Sequence, residues 1–307
     1  MKAVVTGGAG FIGSHLVEEL ISRGVEVHVL DNLISGHLYN IHPLAIIHTE
    51  DICSKNAQQI IIEEKPDLVF HLAAQADVAR SISEPEYDAD VNISGTVNIL
   101  EACRKAGVKK VIFSSTSGVY GNLQKDLISE QDLSVPISYY GLSKLTAESY
   151  IRLFHQLHGL SYTILRYGNV YGPRQTAKGE GGVVAVFLER IKKGLPLRIH
   201  GDGEQTRDFI YVKDIVQANL SAIEGGNEET IQVSTSQKTS INDLLQMFKE
   251  IHSSEIDIIY TQARTGDIKH SCLDNQKAYH LLQWKPQVEI FHGLTETYKF
   301  AMKNSPL

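Results

Sequence analysis

Tyr140 and Lys144 stand four residues apart in Tyr139-Tyr140-Gly141-Leu142-Ser143-Lys144. On a helix that spacing puts a phenol and an ammonium on one face. A free tyrosine titrates at about 10, and a neighbouring cation favours the phenolate. Such a phenolate can take the proton of an alcohol while the carbon gives hydride to a nicotinamide. The pair reads as redox chemistry on a hydroxyl group, and that chemistry requires a dinucleotide site.

A candidate for that site opens the chain, in Gly7-Gly8-Ala9-Gly10-Phe11-Ile12-Gly13. The segment follows an apolar strand and begins a helix, the context that gives a glycine-rich turn its meaning. Gly7 permits the tight turn, Gly10 lets backbone N–H groups approach a pyrophosphate, and Gly13 permits close helix–sheet packing. Phe11 and Ile12 lie between them as further cofactor-binding positions. Asp31 ends the second strand 18 residues after Gly13, where a carboxylate can bind the adenosine ribose. No Arg or Lys follows in Asn32-Leu33-Ile34-Ser35 to hold a 2′-phosphate, so NAD is expected over NADP.

Positioning these groups takes a scaffold that alternates strand and helix. Residues 2–6 form a buried strand, 11–23 an amphipathic helix closed by Gly24, and 25–30 the next strand. Strands follow at 44–49 and, behind Pro66, at 67–72, with a helix through 60–64 between them. Helix 92–106 stops at Gly107 and feeds strand 108–115, and helix 139–158 stops at Gly159 and feeds strand 161–167. This rhythm predicts an α/β fold, a doubly wound parallel (Rossmann-type) sheet covered on both faces. After residue 168 Gly and Pro increase over 168–182 and the elements become short and irregularly spaced. A smaller C-terminal α/β substrate lobe is expected there, with a cleft between. The predicted division is 1–167 as the dinucleotide-binding domain, with 209–235 returning to it, and 168–208 plus 236–307 as the lobe.

Of the 307 residues 42% are hydrophobic and 21% charged, the balance of a soluble protein. The net charge is −7 with no basic run, and no apolar stretch approaches the roughly 20 residues that span a bilayer. Neither nucleic acid nor membrane is an expected partner. The sequence opens directly into Lys2-Ala3-Val4-Val5, and Cys53, Cys103 and Cys272 are too scattered for a disulfide framework. A reduced, cytoplasmic protein is the expectation. His155 and His158 form an isolated pair without a third ligand, so no metal is expected.

With GGAGFIGSH, Asp31-Asn32-Leu33, His71-Leu72-Ala73-Ala74 and YxxxK in that order, the chain resembles the extended short-chain dehydrogenase/reductase family. Within it the likeness is to the nucleotide-sugar 4-epimerases, and it covers essentially the whole length. More specific motifs lie beyond residue 164: Leu165-Arg166-Tyr167-Gly168-Asn169-Val170-Tyr171-Gly172-Pro173-Arg174-Gln175, then Gly201-Asp202-Gly203-Glu204-Gln205-Thr206-Arg207-Asp208-Phe209, then Arg264-Thr265-Gly266-Asp267. The resemblance implies that Asp51 and Ile52 flank adenine, with Asn32 beside the ribose acid. It implies that Leu72, Ala73 and Ala74 line the pyrophosphate and that Asn92 supports the site behind the nicotinamide. Asn169, Arg207 and Arg264 would hold a sugar nucleotide's diphosphate, which suits the bidentate reach of arginine, and Asp267 would bind the uridine ribose.

The family's third catalytic group is a Ser or Thr, matched here by Thr116, with Ser115 behind it. Relatives that dehydrate or decarboxylate nucleotide sugars carry carboxylates just after that residue; this chain has Ser117 and Gly118. The implied activity is therefore reversible C4 epimerisation of a UDP-hexose, between UDP-glucose and UDP-galactose, through a 4-keto intermediate with tightly held NAD. A small residue, Ser271, stands seven positions past Arg264, and the resemblance implies that a bulky residue at that position would close the pocket to an N-acetyl group. UDP-N-acetylglucosamine and UDP-N-acetylgalactosamine are thus expected as further substrates. The alternatives are a UDP-glucuronate 4-epimerase, another nucleotide-sugar oxidoreductase, or an NAD-binding regulator without catalysis. Retention of Thr116, Tyr140 and Lys144 argues against the last. A homodimer built on helices 92–106 and 139–158 is the default that the resemblance implies.

Overall fold

Aliphatic and β-branched runs set the strands, and their order in space sets the site. The computed structural model describes residues 1–177, 182–263 and 268–303. Its first half runs β1 (Lys2–Thr6), α1 (Phe11–Ser22), β2 (Glu26–Asp31), β3 (Ile46–Thr49), α2 (Lys55–Glu64), β4 (Leu68–His71), α3 (Val78–Ser83), α4 (Pro85–Ala89), α5 (Thr96–Ala106), β5 (Lys110–Thr116), α6 (Tyr139–His158) and β6 (Ser161–Tyr167). The second half continues with β7 (Asn169–Tyr171), α7 (Val183–Lys192), β8 (Leu197–His200), β9 (Thr206–Arg207), β10 (Phe209–Tyr211), α8 (Val212–Ser221), β11 (Glu229–Val233), β12 (Thr239–Ser240), α9 (Ile241–Ile251), β13 (Ile258–Thr261), α10 (Gln276–Leu282) and α11 (Ile290–Lys303).

Seven strands make one parallel sheet in the order β11-β6-β5-β4-β1-β2-β3. Successive side chains on a strand point to opposite faces. Ala3 and Val5 accordingly join Leu16, Leu20 and Ile215 in one layer, while Val4 joins Ile61, Ile99 and Ile151 in the other. With both faces covered, each of β1, β4 and β5 carries consecutive apolar residues, Ala3–Val5, Leu68–Phe70 and Val111–Phe113, all buried. Strand order reverses between β1 and β4, so the turns that leave them part and open a crevice at the carboxyl end of the sheet.

The sheet's last strand comes late. β11 returns from an excursion through residues 168–228 and pairs in parallel with β6, Glu229 opposite Thr163 and Val233 opposite Tyr167. α8 packs against α1 on the way. Beyond the sheet, three two-stranded ladders, β10–β7, β12–β9 and β13–β8, surround a third core of Phe187, Tyr211, Leu244 and Phe248 that also takes in Phe11 of α1. Asp208 ties this region together: it is 1% exposed and accepts hydrogen bonds from the backbone N–H groups of Thr235, Ser236 and Leu273.

Three details depart from expectation. The helix expected from residue 92 enters through a π turn, Asp90–Gly95, before α5 begins. α3 and α4 lie outside the expected elements, because segments this short carry no periodicity; Asp77 caps one through Ala79 and Arg80, and Pro85 starts the other. The lobe is also more regular than its Gly and Pro content implies, with α7, α9 and α11 each 10 to 14 residues long. No helix among the described residues is long and apolar enough to cross a membrane.

Candidate active site

The β1–α1 turn is shaped by what its glycines lack. Gly7 has φ +71°, and a Cβ there would lie 2.8 Å from the Ala73 nitrogen in the loop after β4. A Cβ on Gly13 would lie 2.2 Å from the Gly7 carbonyl oxygen, so α1 sits against the turn only because that atom is missing. Gly10 caps α1 without a side-chain hydrogen bond, and the first turn carries no acid. The N–H groups at this end keep their attraction for an anion. Gly7, Gly10, Phe11, Ile12 and Gly13, with Leu72, Ala73 and Ala74 of the β4 loop, line a cleft of about 830 Å³.

Asp31, at the end of β2, lines the same cleft. Its two oxygens accept one backbone N–H each, from Ala9 at 2.9 Å and Leu33 at 2.8 Å. An ionised carboxylate has about four lone-pair sites, so acceptor capacity is left for hydroxyls. Burial pushes this carboxyl above its ordinary pKa. Asn32 and Ile52 also line the cleft. Asp51 is not part of that wall; it accepts from Asn32 Nδ2 at 2.8 Å and from the Cys53 N–H. Asn92 likewise stands behind the wall, on the π turn. Its side chain bonds the backbone of Gln75 in both directions and donates to Ser143 Oγ at 3.1 Å.

Tyr140 and Lys144 lie in the first turns of α6, whose N-cap Ser138 accepts from Gly141 N–H. Lys144 is 3% exposed, and its Nζ donates to the Ser114 carbonyl at 2.8 Å and lies 4.6 Å from the Phe113 ring centre. That fixes the ammonium at the carboxyl end of β5. Thr116 ends β5 and caps a 3₁₀ turn, Ser117–Tyr120, accepting from Gly118 N–H at 3.0 Å. A Cβ on Gly141 would fall 2.6 Å from the Gly118 carbonyl oxygen, so a glycine after Tyr140 lets α6 close on that turn. Thr116, Tyr140 and Lys144 all line the cleft that the glycine turn lines.

Sequence reasoning missed the support beneath this group. Ser115 Oγ donates to Glu148 at 2.6 Å, and the fully buried Glu148 is held by Arg166 of β6 through two hydrogen bonds. Glu148 follows Lys144 by one further helical turn, a signal the sequence did carry. His71, also fully buried, lies between Thr6 Oγ1 at 2.7 Å and Thr96 Oγ1 at 3.0 Å. Burial pushes its pKa down to about 3, with the Lys144 charge acting the same way.

Toward the lobe, Asn169 lines the cleft, and its N–H donates to the Asp208 carbonyl at 2.7 Å. Arg207 lies on β9, half-buried and outside that wall, with Nη1 donating to Thr206 O. Ser271 is beside it, its N–H on the same Thr206 carbonyl at 3.2 Å. Arg264 and Asp267 lie outside the described residues. The cleft wall adds Gln75, Arg80, Tyr87, Arg174 and Gln175, none of which the sequence singles out as site residues. Remote from it, His28, His48 and Glu64 bring ligand atoms within 4.8 Å of one another, but the Lys2 ammonium already sits 2.8 Å from Glu64 and 3.0 Å from Glu26.

The sequence matches the profile of the NAD dependent epimerase/dehydratase family over residues 3–234. The chain is similar to a UDP-glucose 4-epimerase of Thermotoga maritima solved with UDP-glucose, at 45% identity and TM-score 0.96 with 99% of each chain covered. It is similar to a UDP-N-acetylglucosamine 4-epimerase from Methanobrevibacter ruminantium in complex with UDP-N-acetylmuramic acid, at 38% identity, TM-score 0.94 and 99% of each chain. A UDP-glucose 4-epimerase of Thermus thermophilus in complex with NAD is 37% identical, with TM-score 0.94, over 99% of this chain and 100% of that one.

Proposed function

The chain belongs to the NAD dependent epimerase/dehydratase family, and on that premise we propose that it reversibly epimerises C4 of a UDP-hexose. The observation that carries the reading is the placement of Lys144 Nζ on the Ser114 carbonyl, one turn from Tyr140, in the cleft that the glycine turn lines. The cofactor fits this chain's residues. Gly7 and Gly13 leave a cradle that a Cβ would fill, and Asp31 keeps acceptor capacity for a ribose. NAD, when bound there, supplies a hydride acceptor that can return the hydride. Gly7–Gly13 and Leu72–Ala74 would hold its pyrophosphate, Asp31 and Asn32 its ribose, with Ile52 at the adenine and Asp51 bracing Asn32.

In this reading Tyr140, as phenolate, takes the 4-OH proton and gives it back after the sugar has turned over. Lys144 stabilises that phenolate, and Thr116 shares a hydrogen bond with the 4-OH. Asn92 holds the Gln75 loop against α6. Asn169, Arg207 and Arg264 grip the diphosphate and Asp267 the uridine ribose, so that the 4-keto hexose swings about a fixed anchor. Ser117 and Gly118 offer no carboxylate for elimination, which supports epimerisation over dehydration. The small Ser271 supports a site that also takes N-acetylated sugars.

The proposal extends to a cytoplasmic homodimer acting in galactose metabolism. The free state of Cys53, Cys103 and Cys272 suits a reducing compartment. Exposed Leu142, Leu153 and Leu157 on α6 suit a helix face that meets a second copy. The test of the activity is proton NMR of purified protein with UDP-glucose and, in parallel, UDP-N-acetylglucosamine, without added NAD. New anomeric signals from both 4-epimers are expected. Signals from UDP-galactose alone would remove the Ser271 argument, and silence in both tubes even with NAD supplied would remove the epimerase reading.

A further inference from the structure

The loop after β7 crosses α1 near the glycine turn, and four residues on one side of the helix meet it. Gly172 comes up against Phe11, whose ring a Cβ on Gly172 would touch at 3.5 Å. His15 Nε2 lies 3.0 Å from the Pro173 carbonyl oxygen. Arg174 Nη1 donates to Ser14 Oγ at 3.1 Å, and its Nη2 pairs with Glu18. Ser14 Oγ gives its own proton to the Phe11 carbonyl, leaving a lone pair for Arg174. Positions 11, 14, 15 and 18 are i, i+3, i+4 and i+7, a single helical stripe.

Two further observations give this contact a purpose. Arg174 holds φ +72°, a left-handed conformation that a side chain adopts at a cost and keeps only where its surroundings enforce it. Glu18 and Ser14 supply that enforcement from 156 and 160 residues away. The loop they restrain also forms part of the cleft: Arg174, Gln175 and Ala177 line it together with Gly10, Phe11 and Ile12. The helix whose amino end lines the cleft therefore also holds the wall beside it.

We propose that Arg174, with Glu18 and Ser14, is a clasp that keeps residues 172–177 across the dinucleotide trough and so sets how slowly NAD leaves. The inference rests on the NAD reading above and assigns retention of the cofactor, not turnover of the sugar, to these residues. Opening the clasp frees the loop to lift, and the dinucleotide then exchanges with solvent while its glycine cradle stays intact.

The test measures NAD bound per chain after desalting, and the rate at which isotopically labelled NAD displaces it. Arg174→Gly removes the guanidinium yet suits the left-handed backbone, so it separates a lost clasp from a misfolded loop. Glu18→Gln removes the other partner, and Glu19→Gln, whose own partner is Arg23, is the control. With a charge-assisted hydrogen bond broken, Arg174→Gly and Glu18→Gln are expected to exchange NAD about tenfold faster or more. Glu19→Gln should exchange at the wild-type rate. Arg174→Gly exchanging as slowly as wild type would overturn the clasp and leave the cofactor reading standing. A wild-type protein that takes up no NAD would overturn both.

Discussion

At the scale of single residues, the reading turns on one phenol and what surrounds it. Lys144 Nζ donates one of its hydrogens to the Ser114 carbonyl at 2.8 Å, so its ammonium is positioned before any substrate arrives. Removing the phenolic oxygen removes the base and leaves the cleft's shape. Tyr140→Phe is therefore expected to lower kcat by about 10³-fold, the usual worth of a placed proton-transfer group, while the NAD content of the purified protein is unchanged. A variant that turns over normally would shift the proton transfer to another group. The Tyr–Lys pair and the glycine turn could be read from sequence because their chemistry needs residues at short, fixed spacing. Glu148 lies on the same helix face one turn past Lys144, but its pairing with Arg166 could not be read, since that pairing joins a helix to a strand and becomes visible only when α6 lies on β6. Asp208, next to Arg207 in the chain, has the look of half an ion pair; its carboxylate instead serves backbone groups at 235, 236 and 273.

At the scale of elements, α6 and β6 have the ends expected of them, because Gly159, at φ +70°, stops the helix where a side chain would be strained. The π turn at Asp90–Gly95 was illegible for the opposite reason: its widened bonding leaves no mark in the residue pattern. The junction of β1, β4 and α5 also carries a pH dependence. His71 is neutral when folded, with a pKa of about 3, whereas in the unfolded chain it titrates at about 6.5. Between those values the unfolded state binds the extra proton, so this stabilisation is complete above the unfolded pKa and declines as pH falls. His15 and His48 are lowered too, both chiefly by burial. From pH 7 to pH 5 the His71 contribution should fall by about 2 kcal/mol. Urea unfolding across that range checks it: His71→Asn should have a shallower pH slope than wild type, and equal slopes would assign the acid sensitivity elsewhere.

At the scale of the whole molecule, α6 exposes an apolar stripe of Leu142, Leu153 and Leu157. If a second copy covers it, Leu153→Glu should halve the mass measured by light scattering at low micromolar concentration while leaving the circular dichroism unchanged. A mass already that of one chain in the wild type would remove the dimer. The lateness of β11 has a consequence of another kind, for synthesis. A nascent chain that has just completed β6 already holds the glycine turn, Thr116, Tyr140 and Lys144, but not the strand that covers β6's far edge. Until residues 229–233 emerge, on the order of ten seconds later at ordinary elongation speeds, that edge offers unpaired backbone groups and the fully buried Leu165 has no cover from Ile231. Such an edge invites pairing with another strand. The interval between β6 and β11 is thus when this chain most needs a chaperone, and codons slowing the ribosome across 168–228 would lengthen that exposure.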